Sequence, residues 1–159
     1  MKISKDKKLC EEYIGKHPVI SISLKGINAA SYEAAFELTV KTIKGAVQKA
    51  GFLKMSDKLD EDEKKEYRAI LDENMSEATL FWSLKNLSEL LEKHYETKVI
   101  LLIDEYDVPL AKAFENGYYD KMVFLIRNLL EQTLKTNNSL KFAVMTACMR
   151  ISTESIFTG

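Results

Sequence analysis

Five aliphatic residues, Val99-Ile100-Leu101-Leu102-Ile103, run directly into Asp104-Glu105-Tyr106-Asp107. An apolar run on both faces is how a strand reads when helices cover both sides of a parallel sheet, and in such sheets ligands gather at the carboxyl ends of the strands. The acids at that end are therefore the first candidates for chemistry. An aspartate held on a rigid strand can orient magnesium through its water shell while the ion bridges the β and γ phosphates of a nucleotide such as ATP. A glutamate directly after it faces the γ phosphate and can orient the attacking water or take its proton. Four or more aliphatic residues followed by Asp-Glu form the Walker B pattern, with Asp104 as the magnesium aspartate and Glu105 as the water-activating carboxylate. Asp107, one step outside, suits either a cap on the next turn or support from beyond the metal's direct ligands.

An apolar strand also often ends in an acid that only begins a loop; two acids in succession after five aliphatics favour the chemical role. Other carboxylate chemistries fit less well. A haloacid-dehalogenase-type phosphotransferase wants Asp-x-Asp, whereas the next aspartate here is Asp104-x-x-Asp107. A restriction-type nuclease wants Glu-x-Lys on a later strand, and 141–146 has none.

Nucleotide hydrolysis of this kind also calls for GxxxxGK[ST], a loop whose amides cradle phosphate and whose lysine reaches the terminal phosphates. These 159 residues contain no such run. The nearest dipeptide, Gly15-Lys16, has Cys10 where the first glycine belongs and His17 where Ser or Thr belongs, so it reads as a turn before the first strand. Thr146 ends the last strand, where a hydroxyl can hydrogen-bond the catalytic water or the γ phosphate as a sensor; equally, it simply finishes the strand. Arg150 can neutralise phosphate in cis or from a neighbouring subunit, or lie on the surface. Cys148 has no identifiable base beside it and reads as inert.

These residues need a scaffold, and the hydrophobic pattern supplies an α/β one. Ile20, Ile22 and Leu24 alternate with serines, which predicts an edge strand over 18–24. Ser31 caps a helix over 31–51 with Phe36, Val40, Ile43, Val47 and Ala50 at helical spacing. An acid-rich turn leads into a short helix over 61–71. Ser76 opens another over 76–95, striped by Leu80, Leu84, Leu87 and Leu91, with Phe81 and Trp82 expected in the core. The central strand spans 98–104, a helix follows over 118–135, and a second two-sided strand over 141–146. The expected architecture is a three-layer αβα domain on a parallel sheet, with a helical pair inserted in the first crossover.

Composition narrows the classes. A chain of this length with 46% hydrophobic residues can bury one core, covering roughly 70% of the surface its unfolded form exposes. The 23 basic and 24 acidic residues leave a net charge of −1, so no global field favours nucleic acid or an anionic membrane. The longest aliphatic run is too short to span a bilayer, and no signal peptide is legible. Two distant cysteines without a CxxC and two histidines without metal spacing point to reduced thiols and a cytoplasmic location.

The run Leu101-Leu102-Ile103-Asp104-Glu105-Tyr106-Asp107-Val108-Pro109-Leu110, then Glu115-Asn116-Gly117-Tyr118-Tyr119, then Arg150-Ile151-Ser152 and Glu154-Ser155-Ile156-Phe157-Thr158-Gly159, resembles the bacterial predicted AAA-ATPase-like family. Pro18-Val19-Ile20-Ser21-Ile22-Ser23-Leu24 and Ser31-Tyr32-Glu33 are similar to the same family's second strand and following helix. The resemblance implies a P-loop NTPase fold, ATP and Mg2+ as ligands, and roles for Asp104, Glu105 and Thr146 as assigned above. It implies a strand and P-loop upstream, chain beyond Gly159 and, in many members, a C-terminal nuclease-like domain. Many relatives have Thr-Gly where this chain has Thr146-Ala147. On these grounds the chain is expected to supply the Walker B and sensor elements and to be inactive alone. In such an architecture the P-loop strand lies beside the sensor strand, so 141–146 is expected to present an open edge through which the chain self-associates. The alternatives are a non-catalytic nucleotide-binding or protein-interaction module with structural acids and, last, a carboxylate-metal nuclease.

Overall fold

A computed structural model of the protein describes residues 7–148. Among these residues the fold is α/β, with six α-helices and one three-strand sheet. The strands are β1 (Val19–Ser23), β2 (Val99–Asp104) and β3 (Leu140–Met145), in that spatial order and all parallel. The strand that carries the two acids is thus the centre of the sheet, hydrogen-bonded on both sides.

Register decides which side chains share a face. Ile20 stands beside Leu101 and Ala143, and Ile22 beside Ile103 and Met145. On that face Ile20, Ile22, Val99, Leu101 and Ile103 are buried under α2 (Tyr32–Gln48), α4 (Glu77–Tyr95) and α6 (Tyr119–Lys135). The helices contribute Ile43 and Val47, Leu80, Leu84 and Leu87, and Met122, Leu125 and Leu129, all of them shielded from water. The other face carries Val19, Leu102, Phe142 and Val144, which are between 37% and 53% exposed. Its helical layer, among the described residues, is α1 (Lys7–Tyr13), with the Tyr13 ring edge-on to Phe142 at 5.7 Å.

Several sequence expectations need correction. The last strand is not apolar-buried on both sides: Phe142 and Val144 stay exposed because β3 is the sheet's edge on a thinly covered face. Trp82 lies outside the core at 43% exposure, with the Lys85 ammonium 4.8 Å above its ring. The first crossover holds the three expected helices, α2, α3 (Glu61–Leu71) and α4, but α2 ends at Gln48 and a 3-10 turn at Gly51–Met55 follows it. Two helices had no place in the expected order: α1, too polar to show a buried stripe, and α5 (Val108–Glu115), which begins with Pro109 in its first turn.

Local chemistry places the helix starts. Ser31 and Ser76 accept hydrogen bonds from the Ala34 and Thr79 amides, and Asp60 with Glu63 forms a reciprocal capping box. Tyr67, wholly buried, donates to the Val47 carbonyl at 2.9 Å, tying α3 to α2.

Candidate functional site at the strand tips

The carboxyl ends of β1, β2 and β3 meet at one end of the sheet, where β2 delivers Asp104 as its last residue. The Asp104 carbonyl accepts the Leu24 amide at 2.9 Å, and the Thr146 amide bonds the Ile103 carbonyl at 2.9 Å. The central tip is therefore held from both neighbours.

Thr146 joins the two acids. Its hydroxyl donates to Asp104 Oδ1 and accepts the Glu105 amide at 3.1 Å. Its carbonyl accepts the Tyr106 amide at 3.2 Å. Because the hydroxyl proton is committed to Asp104, the carboxylate is fixed in orientation, as a residue that must aim at a metal's water shell requires.

Glu105 turns the chain sharply. Its φ of +53° lies in the left-handed region that costs an L-residue with a side chain of this size. Such strain clusters at functional sites, where a side chain's chemistry outweighs backbone comfort. The expected outcome of Glu105→Gly is a gain of about 1 kcal/mol in unfolding free energy, read by urea denaturation; a loss of stability would show that no strain resides there.

The Glu105 carboxylate lies between the flanking strands. Lys25, just past β1, brings its ammonium to 3.5 Å from Oε1, and Glu105 retains only 18% side-chain exposure. From the β3 side Cys148 stands near the same acids, its amide bonded to Asp107 Oδ1. Although Cys148 is exposed, some desolvation at the strand tips and then the charges of Glu105 and Asp107 raise its thiol's pKa above the usual value.

Asp107 does not cap α5. It sits at αR dihedrals before the helix, whereas a side-chain cap needs an extended residue, and its carboxylate turns inward instead. It is completely buried, and Oδ1 accepts the Cys148 amide at 3.1 Å. It thus ties the β3 tip to the β2 tip from behind the two exposed-side acids.

Asp104, Glu105 and Thr146 are brought together, Asp107 supports them from below, and Arg150 falls outside the described residues. Sequence reasoning missed Lys25, which the parallel register of β1 and β2 brings level with the residues after β2. The Glu115-to-Tyr119 block forms the α5–α6 turn, where Gly117 has φ +77° and the Tyr118 hydroxyl donates to the Ala29 carbonyl at 2.7 Å. That bond fastens the loop after β1, which carries Lys25. Grooves of about 420 and 470 Å3 lie along α2 and beside the α5–α6 turn, and neither is lined by Asp104 or Glu105.

Asp104, Glu105 and Thr146 offer hard oxygens only, and no cluster of three or more His, Cys, Asp or Glu forms a cage among the described residues. Magnesium commonly takes one or two carboxylates and fills its remaining positions with water and phosphate.

A family model described as "Predicted AAA-ATPase" matches residues 2–157. Comparison with curated proteins and with solved structures gave no match. No described helix is long and apolar enough to cross a membrane.

Proposed function

Because the chain belongs to the predicted AAA-ATPase family, we propose that its strand tips are the Walker B and sensor half of an ATP-hydrolysing site. The observation that carries this is the convergence of Asp104, Glu105 and Thr146 at the end of the central strand, with one hydroxyl bonded to both acids' positions. Asp104 would hold Mg2+ through water, and Glu105 would orient the attacking water and accept its proton. Magnesium, when bound there, would supply charge neutralisation to the phosphate oxygens. Thr146 keeps the Asp104 carboxylate aimed and fixes the Glu105 backbone, while Arg150 is assigned to phosphate neutralisation.

A phosphate cradle of the GxxxxGK[ST] type is absent from these 159 residues, so in this proposal it comes from other chain, as does any nuclease-like domain. The β3 edge is the place for such a strand, and without one it is the surface through which copies would pair. Joined to a GxxxxGK[ST] strand and loop, the chain is expected to hydrolyse ATP only with magnesium, and Asp104→Ala to abolish that turnover. Turnover that persists in excess chelator, or that ignores Asp104→Ala, would refute the assignment.

A further inference from the structure

Glu105 is fixed at its backbone and mostly shielded at its side chain, whereas its cationic partner is largely exposed. The Lys25 side chain is 73% exposed against 18% for Glu105, and the two approach to 3.5 Å. The lysine's base is not loose: the Leu24 amide before it bonds the Asp104 carbonyl, and the loop after it is fastened through Ala29 to Tyr118. A tethered stem with a solvated ammonium therefore reaches the same crevice as both acids.

We propose that Lys25 is the positioning residue for Glu105: its ammonium holds the carboxylate over the strand tip and exchanges it for a phosphate oxygen when a polyphosphate enters. The exchange rests on the ATPase assignment above. An exposed ion pair is weak in water and readily traded, and a phosphate oxygen in the crevice offers the ammonium a more highly charged acceptor than one carboxylate. While Lys25 is engaged, Glu105 has part of its acceptor capacity occupied. Transfer of the ammonium to phosphate frees the carboxylate to take a hydrogen bond from water, so the base becomes available as the anion arrives.

The test is lysine side-chain NMR on the 159-residue chain, with the Lys25 ammonium signal assigned by its loss in Lys25→Arg. Glu105→Gln is expected to move the Lys25 signal, and the Glu105 carboxyl carbon is expected to shift in Lys25→Ala but to stay near its wild-type position in Lys25→Arg. Adding magnesium tripolyphosphate to the wild type is expected to move the Lys25 signal together with the Asp104, Glu105 and Thr146 amides. A Lys25 signal indifferent to Glu105→Gln overturns the proposal. Amides that respond while the Lys25 signal does not overturn the exchange alone. A Lys25 signal that answers Glu105→Gln, with no amide responding to tripolyphosphate, overturns the exchange in this chain and leaves the ATPase assignment, whose phosphate cradle lies outside these residues, to its own test.

Discussion

Glu105→Gln, in the chain joined to a phosphate loop, is expected to lower ATP turnover by about 10²- to 10⁴-fold while magnesium nucleotide still binds. Glutamine keeps the size and the hydrogen-bonding reach of glutamate but cannot accept a proton from water. It meets the same left-handed backbone, so φ +53° is neither relieved nor worsened. The Glu105 amide still reaches Thr146 Oγ1, and that hydroxyl still reaches Asp104. The metal aspartate therefore stays aimed, and the loss falls on the chemical step. Only the exposed-side pair with Lys25 disappears, and pairs of that kind add little to stability. Single-turnover assays beside a nucleotide-binding isotherm would separate the two effects; a variant that keeps more than about a tenth of wild-type turnover excludes Glu105 as the proton acceptor.

Leu101→Ala is expected to destabilise the fold by about 2–5 kcal/mol, a fall in Tm of roughly 2–4 °C per kcal/mol for a chain of this size. Leu101 is fully buried in the middle of the central strand, flanked by Ile20 and Ala143 and facing the helical layer of α2, α4 and α6. Removing its branched side chain leaves a cavity bounded by two strands and the helices above, none of which can shift without breaking the parallel ladder. Its neighbour Leu102 supplies the control. That side chain points to the thinly covered face at 37% exposure, so Leu102→Ala should cost less than about 1.5 kcal/mol. Urea titrations of the two variants that gave equal losses would mean that the two faces are equally covered.

The fold class and the parallel sheet were legible from pattern alone. Val99–Ile103 is apolar on both faces and forms the central strand, with Val99, Leu101 and Ile103 under the helices and Ile100 buried on the other face, while Ile20 and Ile22 are buried and alternate with exposed serines on the edge strand β1. The leucine stripe of α4 likewise predicts its buried face, whereas on α2 the buried row is Ala35, Thr39, Ile43 and Val47, with Phe36 and Val40 at its margin. Periodicity marks a stripe but does not settle its width. The short helices escaped it: α1 has no buried residue and α5 completes barely two turns. Phe142 and Val144 misled for a different reason. A hydrophobic strand reads the same whether it is covered or waiting to be covered.

At the site, Asp104 and Glu105 were legible from sequence because their spacing follows an aliphatic strand, and Thr146 from its place at the next strand's end. Lys25 and the buried turn of Asp107 were not, since both depend on register and on dihedrals that residue type does not report. The left-handed Glu105 is of the same kind: sequence statistics favour glycine there, and only the coordinates place a carboxylate on that bend.

The connection from β1 to β2 bears on how the chain folds. Ser23 and Asp104 are partners in the ladder, yet everything from α2 through α4 lies between them. The strands therefore meet only after a long loop closes, the non-local kind of contact that slows folding, whereas each helix forms from neighbours in the chain. Helical hairpins are expected to be ready first and the sheet to zip late, so the strand tips that carry Asp104 and Glu105 are among the last features to form. During synthesis β1 emerges long before its partner, and it must wait unpaired until the ribosome has passed position 104.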